Sequence, residues 1–142
     1  MGGSTRALKN LKRIAGSTLV GGKPLIDDPG FRAKIARLEM RIESLRIVIY
    51  KTLAGAALGK APGPESSILK IRGSELQQQV GELTMEVMGH NSLNWFNEGA
   101  VPDEQYWVPS NFNYQRATTI YGGSNEIQRN VIAKSILRLP GA

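Results

Sequence analysis

Apolar residues recur three and four positions apart along most of this chain, a spacing that gathers them on one face of an α-helix. Leu8, Leu11 and Ile14 predict a short amphipathic helix over 5–15. Ile35, Leu38, Ile42, Leu45, Ile49 and Leu53 sustain the repeat of a helix bundle up to about residue 58. Leu69, Leu76, Val80, Leu83 and Val87 give the same repeat in a third helix from about 64 to 89, interrupted by Gly73 and Gly81. A fourth helix is expected over 111–120 and a last one over 124–137. No stretch alternates apolar and polar residues long enough to predict a strand.

The breaks between these segments carry their own chemistry. Asp27-Asp28-Pro29 is a helix start, because an Asp carboxylate can accept the free N–H groups of the first turn and Pro suits the first helical position. Residues 16–26 form a glycine-rich connector with Gly21, Gly22 and Pro24, and 59–64 form a turn. Gly89 stands where the third helix ends, as a C-cap. Residues 90–109 are left as a long link rich in aromatics. The pattern therefore predicts an all-α fold, an up-and-down four-helix bundle with an extra short N-terminal helix and one long aromatic loop. Trp95, Phe96, Tyr106, Trp107, Phe112 and Tyr114 are expected chiefly to pack that loop onto the bundle, with a share in an interface.

Composition narrows the function. The 142 residues suffice for one domain, and with no cysteine there is neither a disulfide framework nor a thiolate metal site. The lone histidine, His90, argues against a protein-built zinc centre, so no metal is expected. No apolar run approaches the ~20 residues needed to cross a bilayer. No signal peptide is recognisable, and a soluble cytoplasmic protein that does not engage a membrane is expected. The net charge of +6 is dispersed: Arg32, Lys34, Arg37, Arg41 and Arg46 alternate with Glu39 and Glu43 along one helix. That pattern reads as a solvated face rather than a nucleic-acid surface, and a phosphate-rich ligand is a third use for it.

The segment with most chemical content is 120–130, IYGGSNEIQRN. A glycine pair directly before a capped helix points backbone N–H groups outward at the positive end of the helix dipole, where an anion or polar ligand edge can dock. A tight turn between two helices explains the same residues without a ligand.

IYGGSNEIQRNVIAKSILRLP resembles the C-terminal signature of the acyl-CoA dehydrogenases, and the likeness extends back through RLEMRIESLRIVIYKTLA and 64–89. It implies that 1–142 is the C-terminal helical domain of such an enzyme, roughly its last third, without the N-terminal helical and middle β-domains. It further implies FAD as cofactor and an acyl-CoA thioester as substrate, with a glutamate taking the α-proton and the β-hydrogen leaving as hydride to the flavin. GKPLIDDP resembles the variant found among members acting on bulky substrates such as steroid side chains, some of which assemble from two different subunits. The partners implied are a homo-oligomer or another dehydrogenase subunit.

The resemblance also assigns residues. Ser124 and Glu126 match the two signature positions that approach FAD. Glu86, Gly89 and His90 correspond to the family's Gln-x-x-Gly-Gly turn, which reaches a neighbouring subunit's FAD and of which one glycine is kept. The Arg-x-x-Phe-Gly element aligns with 18–22 and loses its Arg and Phe. In many members the base directly follows the signature tyrosine; here that position is Gly122. The alternative base position, in the first long helix of the domain, is expected upstream of Met1. No catalytic residue is assigned, and two classes of function stand: a dehydrogenase, or an inactive helical module that oligomerises or completes a partner's site. For Ser124 a plain helix cap remains the other reading, and for Glu126 a plain helix-dipole partner. Arg116 and Arg129 are expected in salt bridges or solvent.

Overall fold

The computed structural model describes residues 2–61, 63–96, 99, 101–103 and 105–140. Helix α1 (Gly2–Ser17) leads into a two-stranded antiparallel hairpin, β1 (Leu19–Val20) and β2 (Lys23–Pro24), and a 3-10 turn (Leu25–Asp27). Then come α2 (Pro29–Ala57) and α3 (Glu65–Met88), a 3-10 segment (Gly89–Leu93), α4 (Val108–Tyr114), a second 3-10 segment (Gln115–Thr119) and α5 (Asn125–Ser135). The all-α bundle expected from periodicity is the fold observed.

The starts and stops follow local chemistry. Asp28 caps α2, its Oδ1 accepting the Phe31 N–H at 2.7 Å, with Pro29 in the first turn. Gly89 closes α3 at φ 54°, where its N–H reaches the carbonyls of Glu86 and Met85. The hairpin was not expected. With two residues a side it is too short to show alternation, but Gly21 and Gly22, at φ 59° and 80°, supply the two positive-φ residues of its tight turn.

Twelve buried side chains make the main core: Leu8, Leu11, Ile14 and Ala15 from α1; Phe31, Ile35, Leu38 and Ile42 from α2; Leu76, Val80, Leu83 and Val87 from α3. α3 is thus the central helix, packing against α1, α2, α4 and α5. The seam expected along α2 is buried only as far as Ile42; beyond it Leu45 and Ile49 are half-buried and Leu53 is exposed. A smaller cluster of Met88, Val101 and Val108, with Met85 against it, ties the link to the bundle.

The aromatics correct the expectation of packing. Trp95, Phe96, Tyr106, Trp107 and Tyr114 are all exposed, while Phe112 is half-buried under the Arg116 guanidinium, 4.6 Å from its ring centre. The small aliphatic cluster, not the rings, anchors this region. Pro62 of the predicted turn and Asn97, Glu98, Ala100 and Glu104 of the predicted link lie outside the described residues.

Candidate functional site

The signature segment forms a loop between the 3-10 segment and α5. Gly122 and Gly123 take φ of 66° and 88°, a left-handed pair that turns the chain sharply into the helix. Ser124 is the N-cap, its Oγ accepting the Ile127 N–H at 3.4 Å. Glu126 follows in the first turn with its side chain 78% exposed, so it faces solvent instead of packing against the bundle. Its carboxyl is held below the ordinary glutamate value, first by its own backbone N–H, then by the Ser124 hydroxyl, with Arg129 and Lys70 adding attraction. The residue between them does the opposite. Asn125 is buried, and its Oδ1 accepts from Lys70 Nζ at 2.8 Å and from Ser74 Oγ at 3.2 Å.

This geometry decides what the helix start can do. The dipole already has a carboxylate at its positive end, and that carboxylate presents lone pairs outward. The exposed edge therefore suits hydrogen-bond donors such as hydroxyls or N–H groups. At Gly122 a Cβ would meet no heavy atom within 4 Å, so it is φ and not space that favours glycine there.

Gly89 lies elsewhere. It caps the far end of α3, whereas Asn125, the residue after Ser124, is bonded to Lys70 and Ser74 in that helix's first half. At 1.5 Å per residue, the two are separated along α3 by about 22–28 Å. The structure brings Ser124 and Glu126 together and sets Gly89 apart. Glu86, the other residue of that turn, is ion-paired to Lys34 of α2. Arg129 reaches Glu75 at 3.2 Å and Glu126 at 3.9 Å, and Arg116 reaches Glu82 at 3.0 Å, so both arginines are in salt bridges. Among the described residues no group of three or more His, Asp or Glu side chains can hold a metal, and no helix is long and apolar enough to cross a membrane.

Reasoning from sequence missed Asn125, Lys70, Ser74 and Gln78. The available signal was the i, i+4 spacing of 70, 74 and 78 along α3.

Residues 1–137 match the family model described as acyl-CoA dehydrogenase, C-terminal domain. The chain belongs to the acyl-CoA dehydrogenase family. Among curated relatives it is 34% identical over 137 residues to acyl-CoA dehydrogenase IpdE1 of Mycobacterium tuberculosis, a match covering 95% of this chain and 32% of that protein. It therefore spans about a third of the length of such relatives. Among solved structures it resembles the ChsE4–ChsE5 complex from Mycobacterium tuberculosis, with a TM-score of 0.78 and 28% identity over 98% of this chain and 35% of that one. Butyryl-CoA dehydrogenase from Megasphaera elsdenii matches with a TM-score of 0.78 and 25% identity over 95% of this chain and 33% of that one. The bundle and the family thus agree.

Proposed function

We propose that this chain acts as the C-terminal bundle of a flavin-dependent acyl-CoA dehydrogenase, lining one edge of an FAD site with Ser124 and Glu126. The observation that carries the reading is the signature loop: two left-handed glycines deliver a capped helix whose first turn exposes an acceptor carboxylate. That edge fits the hydroxyl-rich stretches of FAD. Bound FAD supplies the hydride acceptor for α,β-dehydrogenation of an acyl-CoA thioester. The chain's own part is to orient: Ser124 and Glu126 accept hydrogen bonds, and Gly122 brings no side chain to compete for the substrate. Proton abstraction needs a carboxylate that position 122 does not carry, so the base comes from another residue or another subunit.

Gly89 belongs to a second contact. Its distance from Ser124 suits a turn that meets the FAD of a neighbouring subunit, which makes an oligomer part of the proposal. The likeness to one chain of the ChsE4–ChsE5 complex supports a partner that is a second dehydrogenase subunit, and the lack of cysteine accords with a reducing cytoplasm. A second reading, a helical assembly module without chemistry, is favoured by the glycine at the base position and by Ile47, Tyr50 and Leu53, which stand exposed on the far half of α2.

FAD titration of the purified chain, with and without an acyl-CoA, separates them. Saturable binding that weakens on Glu126→Ala supports the flavin edge. No binding, alone or mixed with a dehydrogenase partner subunit, leaves the assembly module.

A further inference from the structure

Four polar residues of α3 stand four apart: Lys70, Ser74, Gln78 and Glu82. Side chains at that spacing form a row along a helix, and this row faces the end of the chain. Lys70 and Ser74 donate to Asn125 Oδ1. Gln78 Nε2 donates to the Gln115 carbonyl at 3.0 Å and to Thr119 Oγ1 at 3.3 Å, with the Arg116 carbonyl at 3.5 Å. Glu82 accepts from Arg116 Nη1 at 3.0 Å.

The residues so held are 115–119 and 125. They bracket the signature loop, 120–124, in which no residue is buried. Inside the loop the ties are local: Ile120 and Tyr121 N–H to the Ala117 carbonyl, and a 3.5 Å contact from Gln128 Nε2 to the Gly122 carbonyl. With no buried apolar side chain of its own and two left-handed glycines, the loop takes its place from its two ends.

We infer that Lys70, Ser74 and Gln78 are positioning residues that clamp both ends of this loop and thereby aim Ser124 and Glu126. The aim matters for FAD only if the function proposed above holds; the clamp itself does not depend on it. A purely stabilising row would act on the whole bundle. A clamp acts on the loop.

The test uses the full chain and three variants: Lys70→Met and Gln78→Leu, which keep bulk but remove the donors, and Lys70→Arg, which keeps one. Amide hydrogen exchange is followed by NMR at Ile120, Tyr121, Ile127 and Gln128, with Leu11 and Ile14 of α1 as controls, and FAD affinity is measured in parallel. Loss of either half-buried donor is expected to speed exchange at those four amides by about tenfold or more with the controls unchanged. Lys70→Arg is expected to restore protection, and FAD affinity to fall in step with exchange. Unchanged exchange at the four amides, or an equal rise at the controls, overturns the clamp. If the unsubstituted chain takes up no FAD, alone or mixed with a dehydrogenase partner subunit, the proposed function fails, and the exchange rates alone decide the clamp.

Discussion

The Oγ of Ser124 lies 3.4 Å from the Ile127 nitrogen, at the long end for a capping bond, and the same hydroxyl helps to hold the Glu126 carboxylate. Ser124→Ala is therefore expected to cost about 0.5–1 kcal/mol in urea unfolding, the low end for a cap, and to raise the Glu126 titration midpoint followed by NMR. The sign for pH follows. A carboxyl held below its unfolded value contributes stability that is present above that value and lost as pH falls through the folded one. Acidification below the ordinary glutamate range is thus expected to loosen the start of α5, and Glu126→Gln to remove that part of the pH dependence. Gly81 makes a different demand. A Cβ there would come within 2.5 Å of Gln115 Oε1, so the buried Gln115 amide would have to shift. Gly81→Ala is expected to destabilise by about 1–3 kcal/mol in thermal or urea unfolding, where an exposed helical glycine would gain from the same change.

At the scale of elements, α2 shows how far local rules reach. Its start was legible because capping needs only Asp28, Pro29 and the amide of Phe31, all adjacent in sequence. Asp28→Ala is expected to lower stability by about 1 kcal/mol in urea unfolding. Its buried length was not legible. The repeat runs on through Leu45, Ile49 and Leu53, yet burial stops at Ile42, because periodicity shows which face is apolar and not where the covering helix ends. α4 fared likewise: Val108 and Pro109 join the helix three residues earlier than expected, held by the Met88 cluster, and from Gln115 it tightens into a 3-10 segment beneath Gln78. The row on α3 stayed hidden for the same reason, its partners lying far along the chain and polar residues on a helix usually facing water.

For the whole molecule the unanswered surface is apolar. Ile47, Tyr50 and Leu53 of α2 are 68%, 60% and 59% exposed, and a groove of about 510 Å³ lies between α2 and α3, lined by Leu45, Val48, Ile68 and Leu76 with Arg41 and Arg72. A helix apolar on most sides is one that other helices cover, and large exposed apolar patches draw partners. Self-association to a dimer or tetramer is expected in sedimentation at micromolar concentration, shifted toward monomer by Ile47→Glu with Leu53→Glu. A monomer at all concentrations would remove this surface from the proposed assembly.

What the sequence determined alone was what neighbouring residues settle between themselves: the helical period and the caps at Asp28, Gly89 and Ser124. It also placed the chain in its family, since the signature is contiguous. Tertiary structure alone decided which apolar residues were covered, that Ser124 and Glu126 share one edge while Gly89 lies at the far end of α3, and that Lys70, Ser74 and Gln78 reach the residues on either side of the signature loop. Those depend on contacts between residues tens of positions apart, where the energy of a pairing is set by packing geometry that no local spacing encodes.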